Sequence, residues 1–406
     1  MTSDAKGPPL PKFSLDDIAD YLVAGHWADT GSVPRQWPAS HMAVTFDLEG
    51  LSAEYRDAAR LAFALWSEMS ALDFIEIADE GDADIEFSSI VGGSFASVDK
   101  TGSTIESVRI NIDTSYEPGF NTLVTEVLVH EIGHALGLGH AGDYNGTADD
   151  RHYRNDTQQF SIMSYFSQSE FRNASNLTVL TPAMADLIAI RSIYGEGPDV
   201  RLGDTVYGFH AEGQNSATGA LFDFANYRGG DAGSETAPCL TIVDSGGIDT
   251  LDCSLYHSDQ RLTLKPGTWS DVGAYRKNIG IDTQTRIENA IAGSGNDRLL
   301  GNGADNHLLG NAGDDRLSGR RGDDQLTGGE GADVFVYRAG FATDVITDFI
   351  AGEDRIELRG YDLDFSDLMG ITRQEGDAVV IVLGGRDHLV LQNTSLSDLS
   401  AADFGL

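Results

Sequence analysis

Residues 292–336 read AGSGNDRLL, GNGADNHLL, GNAGDDRLS, GRRGDDQLT and GGEGADVFV when cut into nine-residue blocks, and this stretch decides the architecture of the second half of the chain. The eighth place of every block is apolar (Leu299, Leu308, Leu317, Leu326, Phe335), and the sixth is Asp297, Asn306, Asp315, Asp324 and Asp333. One inward residue per block describes short strands joined by tight turns, each block stacking on the next because it cannot bury its apolar residue alone. Small residues at the fourth place, Gly295, Ala304, Gly313, Gly322 and Gly331, let the backbone turn sharply and expose carbonyl oxygens. With the carboxylates they offer the hard oxygen ligands that calcium prefers. The calcium candidates are Gly293, Gly295, Asp297, Gly310, Gly313, Asp315, Gly319, Gly322, Asp324, Gly329, Gly331 and Asp333. A weaker copy of the pattern stands upstream at Asp244, Gly246, Gly247 and Asp249, before Leu251. The bland alternative is a flexible Gly/Asp linker; five copies in phase with a fixed apolar place argue against it.

Working outward, the whole chain has 406 residues, 47 of them glycine, about 12% against an average of roughly 7%. The repeat accounts for much of that excess. Its length suits two domains, and a hydrophobic content of 41% suffices to build their cores. A net charge of −37 disfavours nucleic acid or an anionic membrane surface as partner and favours cations. Two cysteines, Cys239 and Cys253, exclude a disulfide scaffold and a thiolate zinc cluster; a single disulfide and two reduced thiols both remain open. The amino terminus, MTSDAKGPPLPKF, lacks the apolar core of a secretory signal peptide, and no run of 18 or more apolar residues follows.

The first half has a different rhythm. Ser14 and Asp17 open a short helix running to Val23. A longer helix over Ser52–Leu72 places Tyr55, Ala59, Ala62, Phe63, Trp66 and Met69 on one stripe. Short alternating runs at 42–48, 73–78, 84–90 and 108–113 read as strands, so residues up to about 195 form one α+β unit. Residues 1–13 read as a mobile tail or short pro-segment, 14–197 as this first domain, and 198–406 as an all-β domain.

Residues 130–140 read HEIGHALGLGH. His130 and His134 are four apart, so on a helix both imidazoles project from one face and share one metal ion, with Glu131 beside them. Gly137 ends the helix by taking a positive φ, and the chain turns to bring His140 in as third ligand. Three histidines leave a fourth position for water, which is the arrangement of a catalytic zinc rather than a structural one. A bare HExxH arises by chance in roughly one chain in a hundred of this length, and adding Gly137 and His140 makes coincidence untenable. The other histidines, His26, His41, His152, His210, His257, His307 and His388, have no ligand spacing and read as surface or core residues.

The extended zinc motif followed by FSIMSY at 160–165 resembles the metzincin pattern with its Met-turn, and with the repeats it resembles the serralysins, the branch that carries RTX calcium repeats. AGDYNG at 141–146 and TPAMADLIAIRSIYG at 181–195 also resemble serralysin flanks. The resemblance covers nearly the whole chain from about residue 14. It implies an α+β metzincin catalytic domain followed by a parallel β-roll / β-sandwich RTX domain, two blocks per turn. Places 18 apart then stack, with Asp297, Asp315 and Asp333 on one side and Asn306 with Asp324 on the other. The first side is expected to hold calcium more tightly, since Asn306 is uncharged and Ala304 replaces a turn glycine. The resemblance further implies one catalytic zinc on His130, His134 and His140, Glu131 as general base, Met163 as floor beneath the metal, and Tyr165 as both additional zinc ligand and catalytic residue. Several structural calcium ions, proteins or peptides as substrates, secretion through type I machinery without an amino-terminal signal peptide, a proteinaceous inhibitor and a monomeric state follow from it as well. The tail Ala402–Leu406 is similar to the family's secretion signal except at Gly405. Two departures are the cysteine pair and the stretch 213–238, where Asp223 is the one calcium candidate. A calcium-binding RTX adhesion or carrier protein with an inactive protease-like domain is the alternative from another class; zinc hydrolysis of a non-peptide substrate is a third.

Overall fold

The computed structural model describes residues 10–78, 82–90, 92–119, 122–145, 151–211, 218–227 and 234–406. The chain divides into two units, the first Met1–Asp199 with Ser216–Thr218 and Pro238–Thr241, the second Val200–Asn215, Gly219–Ala237 and Ile242–Leu406.

In the first unit, α1 (Leu15–Asp20) starts where Ser14 Oγ accepts from the Asp17 N–H and Asp17 accepts in return from the Ser14 N–H. This reciprocal cap satisfies two N–H groups that a helix start leaves without partners. A π-helical turn over Tyr21–Gly25 then leads into α2 (His26–Asp29). The expected long helix is α3 (Ala53–Met69), and its whole apolar stripe from Tyr55 to Met69 is buried. β1 (Ala43–Asp47), β2 (Asp73–Glu76), β3 (Ile85–Ser88) and β5 (Thr104–Asn111) form a parallel sheet in the order β2-β1-β3-β5, and β4 (Phe95–Thr101) lies antiparallel to β5 at its edge. The expected strands are thus present: three are shorter by one or two residues at an end, and the fourth begins four residues earlier, at Thr104, and ends two earlier; β4 is not among those expected, and as an edge strand it buries none of its residues fully. α4 (Leu123–Ala135) packs on α3, with Trp66 Nε1 donating to Val129 O at 3.0 Å. α5 (Met184–Tyr194) follows.

The second unit is built mainly from two sheets of mostly parallel strands, beside a small antiparallel pair, Thr268–Ser270 with Ile279–Ile281. Six strands, Arg261–Thr263, Arg298–Leu300, Arg316–Ser318, Val334–Arg338, Arg355–Arg359 and Phe404–Gly405, run parallel in one sheet. The other has nine strands, seven of them parallel from Val206–Gly208 to Asp387–Leu391, and it ends in the antiparallel strands Ala378–Gly384 and Thr372–Glu375. Successive blocks alternate between the sheets. Leu299 pairs in register with Leu317 and Leu308 with Leu326, so the chain coils with a period of two blocks, and all five eighth-place residues are buried between the sheets.

The sixth-place side chains tie these coils together. The Asp297 N–H donates to Asp315 Oδ1 at 2.7 Å, that of Asp315 to Asp333 Oδ1 at 2.8 Å, and that of Asp333 to Asp354 Oδ1 at 2.9 Å. On the opposite side the Asn306 N–H donates to Asp324 Oδ1 at 2.7 Å and that of Asp324 to Asp344 Oδ1 at 3.4 Å. Gly313 (φ +115°) shows why the fourth place is small: a Cβ there would lie 2.3 Å from the carbonyl oxygen of Gly295, one coil earlier. Cys239 and Cys253 are both free, buried thiols. Among the described residues no helix is long and apolar enough to cross a membrane.

Candidate metal centre and cleft

α4 carries His130, Glu131 and His134, and ends with Leu136 as its cap. Gly137 follows at φ +100°, and a side chain there would strike the carbonyl oxygen of Arg35 at 2.1 Å. Both its conformation and its close approach therefore require glycine. Gly139 answers a different demand, since a Cβ would lie 2.6 Å from the buried ring of His26. The turn so formed returns His140 to the helix. One nitrogen from each of His130, His134 and His140 lies within 4.8 Å of the others, the one such group of histidines, cysteines and carboxylates among the described residues.

The far nitrogens of two rings are fixed. His130 Nδ1 lies 2.8 Å from Ile162 O and His134 Nδ1 lies 2.8 Å from Leu138 O. A carbonyl only accepts, so each Nδ1 carries the proton and each Nε2 turns its lone pair inward, the tautomer that ligates a metal. His134 Nε2 is 2.9 Å from His140 Nε2, a separation that a shared proton or a cation must hold. Burial disfavours the proton: it pushes His134 well below the ordinary histidine range and His140 down to about 2. The donor set therefore fits a divalent cation such as zinc.

Glu131 is buried, its Oε2 has no hydrogen-bond partner, and burial pushes its carboxyl up to about 8. Tyr165 is half-buried, with its ring 4.4 Å from that of His140 and stacked on Tyr144 at 4.8 Å. Two cavities flank the histidines. One of about 390 Å³ is lined by Tyr116, Glu126, Val127 and Gln158 as well as Glu131 and Tyr165. The other, about 310 Å³, opens beside Trp27, Arg35, Phe95 and Asn145.

Met163 is fully buried, and its sulfur explains Gly133: a Cβ at that position would sit 2.7 Å from Met163 Sδ. The turn holding Met163 is anchored by Asp186, which accepts from Ser161 Oγ at 2.6 Å, the Ile162 N–H at 2.7 Å and the Ala183 N–H at 2.8 Å. Ile162 O in turn orients His130, so Asp186 at the start of α5 reaches the metal site through one peptide. Sequence reasoning missed Gly133, Asp186, His26 and β4. A signal existed for Asp186, third residue of a helix in the position of a capping box.

The repeat residues also fall where the pattern puts them. Asp249, Asp297, Asp315, Asp324 and Asp333 are buried, and Asp249, Asp315 and Asp324 each keep one carboxylate oxygen without a partner, as does Asp344. Burial pushes Asp297 up to about 6, Asp324 and Asp333 to about 7, Asp315 to about 8 and Asp344 to about 9. In the upstream copy, Asp244 accepts from Tyr207 Oη at 2.5 Å and burial raises Asp249 to about 7. Buried oxygens without donors fit a hard cation. The first-place glycines make room for these carboxylates: a Cβ on Gly310 would lie 2.1 Å from Asp315 Oδ2 and one on Gly319 2.0 Å from Asp324 Oδ2. Asp223 is half-buried and accepts from the Ala225 N–H; residues 213–217 and 228–233 of the poorly matching stretch lie outside the described residues, as do residues 1–9 of the tail and Gly146.

An α+β unit with three convergent imidazoles over a buried methionine, joined to a coil of parallel strands, defines a metallopeptidase of the matrixin class with a repeat domain. Residues 37–164 match the matrixin model of peptidase family M10, and residues 197–401 match the model of the serralysin carboxy-terminal domain. A metallopeptidase AprA of Pseudomonas marginalis is 36% identical over 97% of this chain and 88% of its own length. Serralysin G of Dickeya chrysanthemi is 38% identical over 85% of this chain and 75% of its own, and serralysin C of the same organism 45% over 61% and 52%. The chain belongs to the serralysin family of metallopeptidases.

Proposed function

We propose that the chain hydrolyses internal peptide bonds of protein substrates with zinc held by His130, His134 and His140, Tyr165 serving as an additional ligand. Bound zinc supplies a Lewis acid and acidifies water towards a pKa of about 7. Glu131, buried with an unpartnered oxygen, takes the proton of the attacking water and returns it to the leaving amine. The Tyr165 hydroxyl donates to the oxygen of the reacting carbonyl. Substrate lies extended along β4, whose free edge offers main-chain groups to a further strand beside Glu131. The observation that carries this reading is Glu131 set beside three converging, neutral imidazoles in a cleft open on both sides.

Residues 14–197 form the catalytic domain and 198–406 the calcium-folded domain, with the buried sixth-place aspartates and the turn carbonyls as ligands. The enzyme acts outside the cell, reached by type I secretion with Ala402–Leu406 as part of the signal. Hydrolysis of a denatured protein tests the catalytic reading. Glu131→Ala should lower the rate by about 10²–10⁴ or more with zinc content unchanged, as read by metal analysis. A calcium-loaded, zinc-occupied chain without hydrolysis would instead favour the adhesion or carrier alternative.

A further inference from the structure

The outer face of the six-stranded sheet carries a cavity of about 440 Å³ walled by Arg298, Arg316, Arg320, Arg321, Arg338 and Arg359. Six guanidinium groups gather here in a chain with 27 Lys plus Arg against 64 Asp plus Glu. The arrangement runs against sheet stability in two independent ways. Parallel register sets Arg261 beside Arg298, Arg298 beside Arg316, and Arg338 beside Arg359. Neighbouring strands are about 4.8 Å apart, and like charges directly opposite repel. Arg320 is held at φ +82°, where an L side chain crowds its own backbone; the second places of the other blocks are Gly293, Asn302, Asn311 and Gly329, residue types that tolerate it. Both departures bring positive charge to the same cavity, and local rules are broken in concert mainly where a site demands it.

One carboxylate answers this charge: Glu357 pairs with Arg316 at 2.6 Å and with Arg359 at 2.7 Å. Among the described residues, Arg298, Arg320, Arg321 and Arg338 form no ion pair. Leu300, Val336 and Phe341 add an apolar side to the wall.

We propose that this cavity binds a compact multivalent oxyanion, phosphate or carboxylate in kind, on a small carbon or phosphorus skeleton. Guanidinium forks match both anions bidentately, and the volume lies in the range of small-ligand sites. Compactness follows from the rest of the chain. An extended polyanion would leave the cavity and meet a molecule of net charge −37, whereas a small one stays within a Debye length, about 8 Å, of the arginines.

Thermal unfolding of the full chain, loaded with zinc and calcium and with free calcium held constant, tests this with inorganic triphosphate and, separately, citrate. Either anion at millimolar concentration should raise the midpoint by several degrees where sodium chloride of equal ionic strength does not. A larger rise with triphosphate identifies phosphate as the bound group, and a larger rise with citrate identifies carboxylate. The variant Arg298→Gln/Arg320→Gly/Arg338→Gln should lose the rise and unfold at a higher temperature than the parent without anion, because the repulsion is relieved. If that variant does not fold, Arg338→Gln alone should raise the half-saturating concentration at least threefold. No rise with either anion, or an undiminished response in the folded variant, overturns the site.

Discussion

Glu131, Gly133 and Asp186 do different work around the same histidines, and they were not equally legible. The histidine spacing alone places three nitrogens together, because a four-residue step keeps two on one helix face and a positive-φ glycine turns the chain to the third. Gly133 sits within the same motif, yet its reason lies 30 residues on, in the sulfur of Met163. Gly133→Val should force that sulfur aside and destabilise the first unit by about 1–3 kcal/mol, with a fall in zinc content; unfolding midpoints and metal analysis together check it. Asp186 holds three buried donors. Its replacement by alanine leaves them without an acceptor, and a loss of about 3 kcal/mol or more is expected by chemical denaturation. A shift in the zinc dissociation constant in Asp186→Asn, where one acceptor oxygen remains, would mark its effect on the metal as passing through Ile162.

At the scale of the elements, the nine-residue block told where its strands and turns lie, because one apolar residue and one small residue at fixed places are enough to set inside and turn. It did not tell where coiling stops. The carboxylates of Asp344 and Asp354 continue the two series at steps of 20 and 21 residues instead of 18, so the structural period outlasts the sequence period. Gly405, out of place in a tail of bulky residues, lies in a strand beside Arg355–Arg359, where a Cβ would meet the Arg355 guanidinium at 3.1 Å. The side holding Asp297, Asp315 and Asp333 should bind calcium more tightly than the side holding Asn306 and Asp324; equal affinities in a site-resolved titration would contradict this, and Asn306→Asp should narrow the gap. The raised carboxyls also set a pH dependence. Their ordinary value is 3.8, and in the folded coil they reach about 7 to 9 at Asp324, Asp333, Asp315 and Asp344. The calcium-free fold thus binds more protons than the unfolded chain, so this contribution is full below pH 4 and is lost as pH rises towards 9. Unfolding midpoints of the calcium-free protein should fall from pH 5 to pH 9 and flatten when calcium is added; a rising midpoint without calcium would refute it.

Across the whole molecule, a charge of −37 was legible as a preference for cations but not as an address for them. The fold buries aspartates between coils, and Asp315, Asp324 and Asp344 each keep a carboxylate oxygen without a hydrogen-bond partner, which is where calcium is proposed to bind. A calcium chelator should therefore unfold the second unit, seen as loss of β circular dichroism and rapid proteolysis after residue 200, and added calcium should restore both; persistence of the fold under chelation would count against calcium as its organiser. The rungs between coils have a further property, a polarity. Every acceptor in the two series belongs to a later coil than its donor, from Asp315 gripping Asp297 to Asp354 gripping Asp333. A coil is complete only once its successor has arrived. Shortening the chain from its carboxy-terminal end strips these carboxylate acceptors, while removing early coils strands the Arg316 and Val334 N–H groups, which donate to the carbonyl oxygens of Asp297 and Asp315. Each inner coil thus takes a side-chain acceptor from its successor and a main-chain acceptor from its predecessor, so that neither end of the stack can be trimmed without leaving amide groups that only a neighbouring coil would serve.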